Sequence, residues 1–224
     1  MSAAFTSAAQ RPDSTDFDFR KLSAHERYKL MIGTIVPRPI ALVTTVDLQG
    51  RVNAAPFSFF NCLSHDPPIL ALGVENKPDM SFKDTAGNIR LTEVFAVNIV
   101  SRAIAEAMHV CAIGFPLGVN ELAEAGLTAA PSKVIAAPHI AEAPAAFECR
   151  RHTTLEIGRS RQIILGEIVF AHYHSDVVDA DRMRVDPAKL DAVARLGGAT
   201  CSTIRDRFDM PTPSLDEWIA SRAK

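Results

Sequence analysis

Residues 36–61, VPRPIALVTTVDLQGRVNAAPFSFFN, constrain the fold more than any other stretch of the chain. Residues 40–46 are a run of apolar and β-branched side chains, the pattern of a strand. Asp47-Leu48-Gln49-Gly50 supplies a turn, in which Gly50 is free to take positive φ. Residues 51–55 restart as a second strand, so the pair is expected to form a hairpin. Pro56 lacks the N–H that a central strand must donate, so the chain is expected to bulge or leave the sheet there. Ser58, Phe59 and Phe60 come directly after it. A hairpin that ends by turning small, polar and aromatic side chains outward makes a rim for a flat ligand.

The rest of the chain reads in short segments. Residues 22–31 fit a helix ended by Gly33 and Pro37. Residues 63–68 read as a loop, because Asp66-Pro67-Pro68 favours extended geometry. Residues 69–74 are nearly continuously apolar, as an interior strand would be. Pro78 and Asp79 are expected to open a helix, with Asp79 as its N-cap. A strand over 93–100 follows, and Ser101 is expected to cap a helix whose inner face carries Ile104, Met108 and Cys111. Residues 113–133 are a long excursion with one helical turn near 121–125. Excursions of this kind usually bind or cover something. Its Phe115-Pro116 is placed to close over a bound ring or over a substrate, and the sequence leaves both open. Two long strands over 146–157 and 162–173 form a second hairpin, and a short helix is expected over 186–193. Arg195-Leu196-Gly197-Gly198 is a glycine turn.

With 224 residues the chain is long enough for one generous domain and a sizeable core without staples. Its net charge of −2 gives no electrostatic reason to expect nucleic acid or an anionic membrane as partner. The four cysteines, Cys62, Cys111, Cys149 and Cys201, are scattered and form no CxxC pair, so zinc-ribbon and thioredoxin chemistry lack support. They read as reduced thiols of a cytoplasmic protein. No stretch approaches the ~20 apolar residues of a membrane span. There is also no P-loop, no GxSxG, no HExxH and no GxGxxG after a strand. Any nicotinamide must therefore bind without a dedicated βαβ cradle. His172 and His174 project to one strand face, but two histidines without a third ligand are weak grounds for a metal. His139 reads equally as a strand-edge residue or a substrate contact.

Several pieces, in order, resemble the flavin reductase-like family of FMN-binding split-barrel proteins. They are Arg38-Pro39-Ile40-Ala41-Leu42-Val43-Thr44-Thr45, then Asn53-Ala54-Ala55-Pro56-Phe57-Ser58-Phe59-Phe60-Asn61, then Asp66-Pro67-Pro68, Lys83-Asp84-Thr85 with Asn88-Ile89, and Val97-Asn98. The likeness runs over residues 25–212. It implies a mainly β fold with peripheral helices, a Greek-key-like split β-barrel. On this reading residues 1–16 are an N-terminal arm, 17–212 the split-barrel domain and 213–224 a C-terminal tail. It also implies a homodimer, bound FMN (with FAD as the alternative) and NAD(P)H as transient co-substrate. The expected activity is NAD(P)H-dependent flavin reduction, as the reductase component of a two-component monooxygenase. The alternative within the same fold is a flavoredoxin-like electron carrier.

An FMN site needs hydroxyls, backbone N–H groups and a cation for the phosphate, and an apolar wall for the ring. Thr44, Thr45 and Ser58 offer hydroxyls, and Asn53 and Asn61 offer amides. Ala54 and Ala55 permit close backbone approach, and Pro56 and Phe57 line the ring edge. Threonine pairs are also ordinary in strands, so spacing alone does not single them out. Ser81, Lys83, Asp84 and Thr85 stand at an expected helix start, where free N–H groups attract phosphate. The resemblance assigns them that role. It also places Gly197 and Gly198 near the flavin or the opening through which nicotinamide approaches. In the family an aromatic residue commonly stands three positions after the second glycine. Cys201 stands there in this chain, so no ring stacks from that position.

Overall fold

The computed structural model describes residues 14–116 and 118–222. Helix α1 (Ala24–Thr34) is opened by a capping box: the Ser23 hydroxyl accepts from the Glu26 N–H, and the Glu26 carboxylate accepts from the Ser23 N–H. The helix runs through Gly33, one turn beyond the expected end. After the two-residue strand β1 (Arg38–Pro39) come β2 (Ala41–Val46) and β3 (Val52–Phe57), the opening hairpin. Asp47 closes its turn by accepting from the backbone N–H groups of Gln49 and Arg51 at 2.9 Å each, and Gly50 sits at φ 78°.

Pro56 does not leave the sheet, contrary to expectation; it stays in β3 opposite Leu42. The reason lies two residues earlier. Ala54 directs its N–H away from the ladder, to Glu121 Oε2 at 3.0 Å. Pro56 shares that orientation, so its missing N–H takes nothing from the β2–β3 pairing. β3 is also the first strand in the sheet order, an edge where proline is tolerated.

The expected loop over 63–68 is a strand hairpin instead, β4 (Phe60–His65) and β5 (Pro68–Glu75), with Asp66-Pro67 alone at the turn. β4 is almost wholly exposed, so it carries no apolar alternation to read. Asp79 does not cap a helix. Its carboxylate accepts from the N–H and hydroxyl of Ser81, at 2.9 and 2.6 Å, and holds a local turn. Helix α2 (Asp84–Thr92) starts five residues later, with Lys83 as an N-cap that makes no side-chain capping bond. Strand β6 (Val94–Ile99) follows. Ser101 likewise makes no side-chain cap; a 3-10 turn over Arg102–Ile104 leads into α3 (Ala105–Val110). The excursion holds α4 (Glu121–Glu124) and β7 (Ala129–Ala130), which pairs with β8 (His139–Ile140) just beyond it.

The long strands β9 (Ala145–Ile157) and β10 (Arg161–Tyr173) pair as expected. Beyond them lie β11 (Val178–Asp179), β12 (Arg184–Val185), α5 (Pro187–Leu190, capped by Asp186), β13 (Val193–Arg195), β14 (Cys201–Thr203) and α6 (Leu215–Arg222). The last of these falls within the tail. The expected N-terminal arm lies largely outside the described residues.

The main sheet is antiparallel throughout, in the order β3-β2-β6-β9-β10-β5-β4. Its first and last strands are consecutive in the chain, joined by Ser58-Phe59, and the Gly73 N–H donates to the Phe59 carbonyl at 2.7 Å. The sheet therefore curls until its ends meet. Pairing of β5 with β10, not with the next strand in sequence, gives the Greek-key character.

β2 is buried along its whole length because it is covered on both sides. Ile40 and Leu42 pack outward against Ile104, Met108 and Leu122. Ala41 and Val43 face a barrel core of Leu72, Val74, Ile89, Phe95 and Ile164. Gly166 marks how tightly that core is filled. A Cβ there would lie 2.9 Å from Phe95 Cε1 and closer still to Cζ, and Phe95 is fully buried. Gly166→Ala is therefore expected to destabilise the protein by about 1–3 kcal/mol through overpacking. At this chain length that lowers Tm by roughly 2–4 °C per kcal/mol. An unchanged Tm in a thermal melt would show that the ring has room to move.

Candidate functional site

The edge of β3, the start of α2 and residues 111–115 enclose a cleft of about 370 Å³. Asn53, Ala54, Ala55, Pro56 and Phe57 form one wall, and Lys83, Asp84 and Thr85 the end facing it. This brings together eight of the residues picked from the sequence.

The α2 end suits an anion. Lys83 makes no side-chain capping bond, so the first N–H groups of the helix remain available. Asp84 would repel an anion there, but Lys77 Nζ holds its carboxylate at 2.9 Å. Thr85 is almost fully buried, and its hydroxyl accepts from Asn53 Nδ2 at 3.1 Å. Its own proton remains free to donate. A second cleft of about 380 Å³ continues past the same helix start and shares Asn53, Lys83, Asp84 and Glu121 with the first.

Other expected residues lie elsewhere. Thr44 is buried, its hydroxyl donating to the Pro138 carbonyl and accepting from Asn98 Nδ2. Thr45 is buried too, and accepts from Asn88 Nδ2 at 3.0 Å and Asn53 Nδ2 at 3.3 Å. It thus orients Asn53 and does not line the cleft. Asn61 is exposed on β4 and accepts from the Cys62 N–H. Ser81 is held in the Asp79 turn. Ser58 and Gly198 line a smaller pocket of about 220 Å³ that shares Pro56, Phe57 and Ala112 with the main cleft. Gly197 packs against the backbone of Gly33, 3.4 Å from where its Cβ would stand.

Glu121, Lys77 and Cys111 are cleft residues that sequence reasoning missed. Only the length of the excursion pointed toward Glu121. Burial pushes the Cys111 thiol up to about 11, with the Glu121 charge adding to it, so it is a packing group and not a nucleophile. Among the described residues no group of three or more His, Cys, Asp or Glu is placed to hold a metal. His172 Nε2 lies 2.7 Å from Glu148 Oε1, and the His139 ring stacks on it at 3.9 Å. His174 Nε2 meets the Ala141 carbonyl at 2.9 Å.

The model of the flavin reductase like domain matches residues 32–187. The chain belongs to the flavin reductase-like family. An uncharacterized protein of Deinococcus radiodurans is 41% identical over 210 residues, covering 91% of this chain and 92% of that one. Among solved structures, 2-nitrobenzoate 2-nitroreductase of Pseudomonas fluorescens is 34% identical with a TM-score of 0.81, over 90% of this chain and 98% of its own. Nitrilotriacetate monooxygenase component B of Bacillus cereus is 27% identical with a TM-score of 0.85, over 89% and 100%. The mainly β architecture is the split barrel of flavin reductases in this family. Among the described residues no helix is long and apolar enough to cross a membrane.

Proposed function

We propose that this flavin reductase-like protein is an NAD(P)H-dependent flavin reductase that holds FMN in the β3–α2 cleft. The observation that carries the reading is the pairing of an apolar strand edge with an uncapped, lysine-bearing helix start across one cleft of about 370 Å³. The donor set fits the group. Lys83, the N–H groups of α2 and the Thr85 hydroxyl suit a phosphate. The small side chains of Ala54 and Ala55 suit close approach of a ring, and Pro56 and Phe57 give it an apolar wall. FAD is the alternative, its added adenylate extending past the helix start, where the second cleft continues.

Bound FMN supplies hydride acceptance, which no side chain of this protein can provide. The chain's own residues bind and orient. Lys83 and α2 anchor the anionic end. Asn53, fixed by Thr45 and Thr85, sets the distance between helix start and strand edge. Glu121 ties the excursion to Ala54, so residues 111–115 cover the cleft and limit water. Because the described residues form no dedicated dinucleotide cradle, the nicotinamide reaches the exposed ring face transiently.

Similarity to the monooxygenase component points to an oxygenase partner that uses the reduced flavin. The exposed apolar side chains of Leu155, Ile157 and Phe170 on β9 and β10 offer a face for a homodimer.

The deciding experiment measures NADH and NADPH oxidation with and without added FMN, on protein whose bound flavin has been quantified. Turnover that rises with FMN supports the reductase. Tight bound FMN without turnover points instead to an electron carrier. Colourless protein that does not bind FMN at high micromolar concentration overturns both.

A further inference from the structure

The smaller pocket beside the cleft has a charge pattern that flavin binding does not explain. Two guanidinium groups line it, Arg38 and Arg195, with His109 at its rim, and no carboxylate among its described residues. Arg38 is 8% exposed, and its Nη1 donates to the carbonyls of Ile32 and Ile35 and its Nη2 to that of Leu196. Its buried Nε has no partner among the described residues. Arg195 donates through Nε and Nη2 to the Gly198 carbonyl, while its Nη1 lies 4.0 Å from the Cys201 sulfur. Carbonyls satisfy donors but neutralise no charge. Two positive charges therefore flank one half-enclosed pocket without a counter-ion among the described residues.

Apart from Ser58 the remaining walls are mostly apolar, with Tyr28, Pro56 and Phe57 among them. At about 220 Å³ the pocket falls below the roughly 300–1,000 Å³ typical of sites for drug-sized ligands. It suits one substituted ring and is too small for a dinucleotide. Pro56 and Phe57 belong to both this pocket and the main cleft, so a ring seated here lies next to whatever occupies the cleft.

We propose that this side pocket binds a single-ring aromatic carboxylate. The carboxylate is read by Arg195, with Arg38 as a fixed charge behind it, and the ring rests between Tyr28 and the Pro56–Phe57 wall. Arginine's planar fork matches a carboxylate in a way lysine's point charge does not. The pocket is built entirely from protein, so binding there does not depend on the flavin reading.

The test is calorimetric titration of the full chain, with and without FMN, using benzoate and its uncharged isostere benzamide. Benzoate is expected to bind at least tenfold tighter than benzamide. Arg195→Ala should reduce benzoate affinity about tenfold or more and leave benzamide within twofold, and Arg195→Lys should fall between. FMN affinity should not change in either variant, which separates this pocket from the cofactor cleft. Equal binding of benzoate and benzamide, or benzoate binding unaltered in both variants, overturns the proposal. Failure of the wild-type protein to bind FMN sinks the flavin reading, while the benzoate contrast in flavin-free protein still decides the pocket.

Discussion

Lys83→Ala is expected to weaken FMN binding by about 1.5–3 kcal/mol, the worth of one hydrogen bond to a charged group. That is roughly a ten- to 150-fold rise in Kd. Lys83 lines the cleft at the start of α2 and forms no side-chain capping bond whose loss would unfold the helix. The variant should therefore keep its thermal midpoint while losing affinity. Lys83→Arg should keep most of the binding, because charge is retained. The effect should shrink as salt rises, since the site is open to solvent. Asp84→Asn provides the contrasting control. It removes a negative charge next to the site and frees Lys77, so affinity should hold or rise. If Lys83→Ala binds FMN as tightly as wild type in a fluorescence titration, the phosphate does not sit at this helix start.

The sequence made the strands legible where burial is two-sided or alternating. β2, β5, β9 and β10 stand within a residue or two of where their apolar patterns placed them. It misled where a local side-chain contact or exposure decided the outcome. β4 hides because its side chains face solvent. Asp79 looks like a helix cap because its chemistry is that of a cap, yet it serves a turn ahead of the helix. Pro56 looks like a strand breaker because orientation at a sheet edge is not written in a single residue. The candidate site divides the same way. Residues 53–57 and 83–85 meet in one cleft because a strand edge and a helix start are each continuous in sequence. Thr44 and Thr45 looked like ligands but are the buried layer beneath. Glu121 and Lys77 come from other segments, and only the fold brings them to Ala54 and Asp84.

The same lesson applies to Glu148, a residue near the start of β9 that no motif flagged. Its side chain is fully buried. Oε1 accepts from the Lys133 N–H and faces His172, while Oε2 accepts from the N–H groups of Val134 and Ile135 at 2.8 and 3.1 Å. One carboxylate thus organises residues 133–135, a stretch without regular secondary structure. Glu148→Ala leaves three backbone donors and an imidazole without their acceptor, and is expected to cost about 3–5 kcal/mol. Against a total stability of roughly 5–15 kcal/mol that is a large share. Glu148→Gln should cost less but not nothing. Its single oxygen can serve Val134 and Ile135, but the amide then points a donor at the Lys133 N–H. Acid should act on the same cluster in two steps. Burial, with the His172 charge adding to it, pushes the His139 pKa down. The folded state then binds fewer protons than the unfolded one, so stability is full above about pH 6.5 and falls as pH drops below it. Burial raises the Glu148 carboxyl, but the N–H donors of Lys133 and Val134, with His172, outweigh it and hold the group below its ordinary value. Its contribution is present above the usual carboxylate pKa and is lost on further acidification through the lowered one. Denaturant midpoints measured from pH 8 to 4 should therefore decline below neutrality in wild type, and the upper step should flatten in His139→Gln. A midpoint in Glu148→Ala equal to that of wild type would mean that water replaces the carboxylate and that the strand needs no internal anion.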